Sequence, residues 1–153
     1  MLKQNDKMPD FNLKNADGNE VKSSELLGKK LVIYFYPKND TPGCTKEACS
    51  FRDSYDEILE KGAVVIGISA DSESSHGKFR KKYNLPFYLL SDPEKKTIES
   101  FGAWGLKKMY GKEYYGIIRS TFIINEKGQI AHVFPKVSPE GHADAVIKVL
   151  ETL

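Results

Sequence analysis

The run Leu31-Val32-Ile33-Tyr34-Phe35-Tyr36 constrains this chain most. Five of its six residues are β-branched or aromatic, which predicts a strand. The run has no polar face, so the strand must be covered on both sides, as in sheets sandwiched between helices. Similar β-rich runs follow at Val64 to Ser69, Phe87 to Leu90, Ser120 to Ile124 and Ile130 to Phe134. Helical patterns separate most of them. Asp17-Gly18 signals an N-terminal hairpin between Phe11-Asn12-Leu13 and Val21, followed by a lead-in helical turn. Asn125-Glu126-Lys127-Gly128 reads as a second hairpin turn, and Pro139 to Leu150 as a closing helix. The expected fold class is α/β: a central mixed sheet flanked by helices, with an N-terminal β-hairpin.

A length of 153 residues suits one domain, 1–153, large enough for a real core. The net charge of +2 is spread along the chain, and no basic block argues for nucleic acid. The segment Met1-Leu2-Lys3-Gln4-Asn5-Asp6 lacks the apolar core of a secretion signal. No apolar run approaches the roughly 20 residues that span a bilayer. The expectation is a soluble cytoplasmic protein without membrane association. Thiols are kept reduced there, so a cysteine pair reads as catalytic, redox-sensing or metal-binding rather than as a permanent staple.

The first long strand hands over to a helix. Thr41 is the expected N-cap, Pro42 fits the first helical position, and Gly62 is the expected stop. Cys44, Ala48, Phe51, Tyr55, Ile58 and Leu59 share one face at the 3.6-residue period, whereas Cys49 lies off that stripe. Cys44 takes the slot that Glu or Gln fills in a capping box, next to the Thr41 hydroxyl. Free N–H groups and the helix dipole favour negative charge there, and the thiolate is the nucleophilic form of cysteine. The alternative is a small, inert, buried cysteine.

Cys49 follows five residues later. That spacing separates the two Cα atoms by roughly 8–9 Å on an ideal helix, whereas disulfides seldom bridge more than about 7 Å. The pair therefore never joins, or joins only when the first turns unwind. A Cys-x-x-Cys redox motif is absent. A zinc site would need further ligands from His76, His132, His142 or carboxylates, which lack recognisable ligand spacing. A papain-like Cys–His pairing has no spacing in its favour. A redox sensor whose disulfide alters partner binding stays open as a rival class.

Arg119 opens Arg119-Ser120-Thr121-Phe122-Ile123-Ile124 between apolar neighbours. Burying a guanidinium there requires an anion, unless it reaches solvent at the strand edge. An adjacent parallel strand could set it beside Cys44. Gly105 to Gly111-Lys112 imitates a phosphate loop, but with the wrong spacing. Arg80-Lys81-Lys82 reads as a solvated helix face, and Tyr110, Tyr114 and Tyr115 as packing or loop residues.

The segment from Pro37 through Thr41-Pro42-Gly43-Cys44-Thr45 to Cys49 closely resembles the active-site segment of the peroxiredoxins, in particular the Q subfamily, the bacterioferritin comigratory proteins. Ser75-His76-Gly77-Lys78-Phe79, Lys82-Tyr83-Asn84-Leu85-Pro86-Phe87, Leu89-Leu90-Ser91-Asp92, Trp104-Gly105 and Arg119-Ser120-Thr121-Phe122 agree with it. The resemblance implies a thioredoxin-like fold and thiol peroxidase activity. It implies Cys44 as the peroxidatic and Cys49 as the resolving cysteine, joined in an intrachain disulfide. By the same resemblance Pro37, Thr41 and Arg119 complete the pocket, Glu47 holds the arginine, and backbone N–H groups near Gly43 face the substrate. Thioredoxin or a similar dithiol is the implied reductant. No metal or organic cofactor is called for, and an intrachain resolving cysteine suits a monomer.

Overall fold

A computed structural model describes all residues, 1–153. The strands are β1 (Asn12–Asn15), β2 (Glu20–Lys22), β3 (Lys30–Phe35), β4 (Ala63–Ser69), β5 (Tyr88–Ser91), β6 (Trp104–Met109), β7 (Lys112–Ile117), β8 (Ser120–Ile124) and β9 (Ile130–Phe134). The helices are α1 (Pro42–Asp53), α2 (Tyr55–Glu60), α3 (Glu73–Tyr83), α4 (Lys96–Ser100) and α5 (His142–Leu150), with a short 3₁₀ turn at Ser23–Leu26. Seven strands form one mixed sheet in the order β2-β1-β5-β4-β3-β8-β9, while β6 and β7 pair only with each other. The expected α/β class with a mixed central sheet is what the chain adopts, and the hairpin at Asp17-Gly18 is its edge.

Alternation along β3 decides what lies where. Val32, Tyr34 and Tyr36 enter one core with Cys44, Ala48 and Phe51 of α1, Phe79 of α3, and Val146 and Leu150 of α5. Leu31, Ile33 and Phe35 enter a second core on the opposite face with Ile98, Phe101 and Phe122. A side-chain period of two places consecutive residues in different cores, and both must be dry. All six residues of that first run are 0–1% exposed.

Four details depart from expectation. The first helix breaks at Ser54 (φ −106°, ψ 7°), yet Tyr55 and Ile58 of α2 still join the core that holds Cys44, Ala48 and Phe51. Leu59 alone leaves the core-facing stripe and is 45% exposed. The closing helix begins at His142, because Gly141 sits in the left-handed region at φ +69° just ahead of it. Arg119 is brought to α1 by an antiparallel neighbour, not a parallel one: Phe35 of β3 faces Ser120 of β8. Lastly, the decoy around Gly105 to Lys112 is the β6–β7 hairpin, turning tightly at Tyr110 (φ +53°) and Gly111 (φ +77°). Tyr110, Tyr114 and Tyr115 are exposed there and do not pack in a core. No helix is long and apolar enough to cross a membrane.

Candidate active site

The site forms where β3 ends. After Tyr36 the chain bends through Pro37, crosses Asn39 and Asp40, and enters α1 at Pro42. Proline at that first position lacks the N–H that no helical carbonyl would have satisfied. Thr41 is the N-cap by its extended backbone (φ −98°, ψ 155°), and its carbonyl accepts from Thr45 N at 2.9 Å. Its hydroxyl does not cap the helix. It donates to the Lys38 carbonyl at 2.8 Å, so the capping-box arrangement is not formed. The Gly43 and Cys44 N–H groups lie in the first turn, where the helix itself offers no acceptor.

Cys44 is 1% exposed on the core-facing side of that first turn. Arg119 reaches it from the entry to β8, its Nη2 donating toward Sγ at 3.3 Å. The other branch, Nη1, donates to Glu47 Oε1 at 2.8 Å. One planar guanidinium thus ties two residues of the same helix, three positions apart. Its ionised form is strengthened by Cys44 and Glu47 against the desolvation that opposes it. Glu47 is fully buried, and its Oε2 has no hydrogen-bond partner within the chain. Burial pushes its carboxyl up to about 7, outweighing the attraction of Arg119.

Gly43 and Pro139 wall this arrangement. A Cβ on Gly43 would lie 3.2 Å from Arg119 Nη2 and 3.4 Å from Pro139 Cγ. The loop carrying Pro139 is held onto Arg119 by Val137 N, which donates to the Arg119 carbonyl at 2.9 Å. A cleft of about 610 Å³, lined by Leu106, Lys107, Ile118, Arg119 and Val137 among others, opens beside the arginine. Pro37 is half-buried at the bend.

Cys49 lies on the flank of α1, partly exposed and not bonded to Cys44; both cysteines are free. Burial raises its thiol pKa, Arg52 opposing the shift. The three histidines lie apart from this centre or serve elsewhere. His76 is buried, with Nε2 3.0 Å from the Leu90 carbonyl and Nδ1 2.9 Å from Asn39 Nδ2. The carbonyl can only accept, so Nε2 carries the proton and Nδ1 accepts from Asn39. His142 Nε2 is 2.7 Å from Thr121 Oγ1, and burial together with nearby Arg119 lowers its pKa to about 4. No group of three or more His, Cys, Asp or Glu side chains gathers where a metal ion could be held.

The structure thus brings Cys44, Arg119, Glu47 and Gly43 together, with Thr41 and Pro37 in the lead-in and Cys49 five residues away on the same helix. Residue reading passed over Asn39. It anchors the loop through Asn39 N to Asp71 Oδ2 at 2.9 Å, Nδ2 to Ser75 Oγ at 3.1 Å, and a 2.6 Å bond accepted from Tyr36 Oη. No local pattern marks such a residue, since its partners lie just after β3, after β4 and on α3.

Residues 4–133 match the model of the AhpC/TSA family. The chain is 50% identical over 147 residues to peroxiredoxin Bcp of Bacillus subtilis, covering 96% of this chain and 94% of that protein. It is 42% identical over 150 residues to peroxiredoxin Bcp of Escherichia coli, covering 98% and 96%. Among solved structures, the bacterioferritin comigratory protein of Xanthomonas campestris, studied for its alkyl peroxide reduction activity, superposes with a TM-score of 0.88. That match has 39% identity and covers 93% of this chain and 90% of the other. A cysteine-to-serine mutant of Xylella fastidiosa PrxQ gives a TM-score of 0.93 at 30% identity, covering 99% and 97%.

Proposed function

Because the chain belongs to the AhpC/TSA family, in its peroxiredoxin Q branch, and is a thiol peroxidase, we propose that Cys44 is its peroxidatic cysteine and Cys49 its resolving cysteine. The observation that carries this reading is the Arg119 guanidinium 3.3 Å from Cys44 Sγ at a helix N-terminus. Cation and helix end together set positive charge beside the attacking sulfur and the oxygen it displaces.

The Cys44 thiolate attacks the terminal oxygen of a hydroperoxide. An S–O bond forms as the O–O bond breaks, and the sulfur loses two electrons. The departing oxygen leaves as water or an alcohol once it takes up a proton. Charge on that oxygen is met by Arg119 and the first-turn N–H groups of Gly43 and Cys44, donors fixed before the reaction begins. The Thr41 hydroxyl proton is committed to Lys38. Toward substrate Thr41 therefore offers lone pairs, which accept the O–H of the incoming peroxide and orient it. Pro37 holds the bend that delivers Thr41.

Cys44 is then a sulfenic acid. The Cys49 thiolate attacks that sulfur, a disulfide forms and the hydroxyl leaves as water. The helical separation forbids this while α1 is intact, so its first turns unwind. A dithiol reductant restores both thiols by two exchanges through a mixed disulfide; thioredoxin fits that role. Resolution within one chain needs no second protomer, and we assign a monomer. Turnover of this kind suits a reducing compartment, the cytoplasm.

The decisive experiment is single turnover with one equivalent of hydrogen peroxide, followed by intact-mass analysis without reductant. Loss of two hydrogens and a Cys44–Cys49 linked peptide support the cycle. Full thioredoxin-coupled turnover by Cys44→Ser overturns it.

A further inference from the structure

The β6–β7 hairpin has no evident place in the sheet or the chemistry. It forms its own two-stranded sheet, and such a hairpin is at best marginally stable alone. Yet Leu106, Met109, Tyr110, Tyr114 and Tyr115 are five of the ten large apolar or aromatic side chains exposed anywhere on the molecule. They occupy both faces: Leu106 pairs across the strands with Tyr115, while Lys107 pairs with Tyr114 and Met109 with Lys112. Tyr110 stands at the tip, 97% exposed. Rigid aromatic side chains on a protruding element are characteristic of protein contact surfaces, where they bury area at little entropic cost.

Position and charge narrow the occupant. The hairpin runs straight into Ile118 and Arg119, and Lys107 Nζ secures its root by donating to the Ile117 carbonyl at 2.9 Å. Leu106, Lys107 and Lys108 line the same cleft as Arg119, whose guanidinium touches Cys44. A body seated on the hairpin therefore sits beside the reacting sulfur. Lys107, Lys108 and Lys112 lie on it and Lys136 across the cleft, against a single acid, Glu113, already 3.5 Å from Lys108. A second copy docking by two-fold symmetry would set this basic patch against itself. A hydroperoxide is far too small to need the patch. The one macromolecule that the cycle must meet is the dithiol reductant.

We propose that the β6–β7 hairpin is the docking arm for the reductant, a dithiol protein presenting an acidic rim and an apolar centre to Tyr110, Tyr114 and Tyr115. This rests on the peroxidase cycle proposed above. The docked reductant delivers its attacking thiolate to the disulfide exposed when α1 unwinds. Basic residues steer the encounter, and the aromatic side chains hold it.

The test pairs Tyr110→Asn with Tyr115→Thr. Asparagine suits the left-handed φ at 110 ahead of Gly111, and threonine keeps strand propensity at 115, so the hairpin persists without its aromatic surface. Thioredoxin with its reductase serves as the protein probe and dithiothreitol as the small one. The expected result is a rise of about tenfold in the KM for thioredoxin, the loss of one strong contact. Dithiothreitol-supported turnover and the single-turnover oxidation of Cys44 stay unchanged. Lys112→Glu should raise the same KM and flatten its salt dependence. An unchanged thioredoxin KM in the paired variant overturns the proposal. So does an equal fall with dithiothreitol, and so does sedimentation showing wild-type dimers that the paired variant loses. If wild-type Cys44 is not oxidised by peroxide at all, the cycle fails and not the docking arm alone.

Discussion

Arg119 Nη2 lies 3.3 Å from Cys44 Sγ, although the two residues are 75 positions apart. The contact follows from two sheet neighbours ending at the same level, Phe35 of β3 opposite Ser120 of β8. Cys44 leaves the end of the first through Pro37 to Thr41, and Arg119 enters the second. Everything reactive in the site is arranged around that pair.

Arg119→Met removes the cation while leaving a side chain of similar length. Loss of one preorganised donor typically costs about 10²- to 10³-fold. The second-order rate of Cys44 with hydrogen peroxide, read by stopped flow, should fall in that range. Arg119→Lys should recover only part of it, since an ammonium cannot hold Cys44 and Glu47 with two branches of one plane.

Gly43→Ala separates activity from stability. Alanine is the better helix residue by about 0.5–1 kcal/mol, so Tm should hold or rise. The new methyl lies 3.2 Å from Arg119 Nη2, however, and pushes the flexible guanidinium away from sulfur. The rate with peroxide should fall severalfold, by the distance-sensitivity of a positioned catalytic group. A rate unchanged from wild type would mean that Arg119 relaxes without consequence.

Glu47 should make stability fall as pH rises. Its carboxyl is raised by burial to about 7 in the folded chain, against an ordinary 4.5. Below 4.5 the group is protonated in both states and its contribution is at its most favourable. Between 4.5 and 7 the unfolded chain ionises while the buried carboxyl resists, so stability drops, by about 3 kcal/mol at most on this linkage. Above 7 the effect is flat. Thermal melts of Glu47→Gln between pH 4.5 and 8 should show a shallower slope than wild type across that window.

Cys49→Ser should divide the cycle. Cys44 should still consume one equivalent of peroxide, but the product should be a trappable sulfenic acid and not a Cys44–Cys49 disulfide. In the wild type, amide exchange after oxidation should quicken over Gly43 to Cys49. It should stay slow over β3 and over Tyr55–Glu60, since only the first turns must open. Protection retained through α1 in the disulfide form would contradict the helical separation argument.

Much of this was legible in the chain, for specific reasons. The apolar run Leu31 to Tyr36 has no polar face, so a doubly covered central strand was unavoidable. Pro42 behind Thr41 fixed where the helix starts and put Cys44 in its first turn, because proline and a cap tolerate only that position. The five-residue spacing to Cys49 already meant that the two sulfurs join only if the first turns unwind. The β6–β7 hairpin escaped notice because only its root, Trp104 and Ile117, reaches a core while most of the rest is exposed, which leaves no alternation to read. Leu59 departs from the reading because it lies at the rim of the stripe, where the helical period places a side chain without deciding whether anything covers it. Which way the Thr41 hydroxyl turns, which anion Arg119 finds and how completely Glu47 is buried belong to tertiary structure alone. Each is a contest between desolvation and long-range partners, and those partners meet only after β8 has paired with β3.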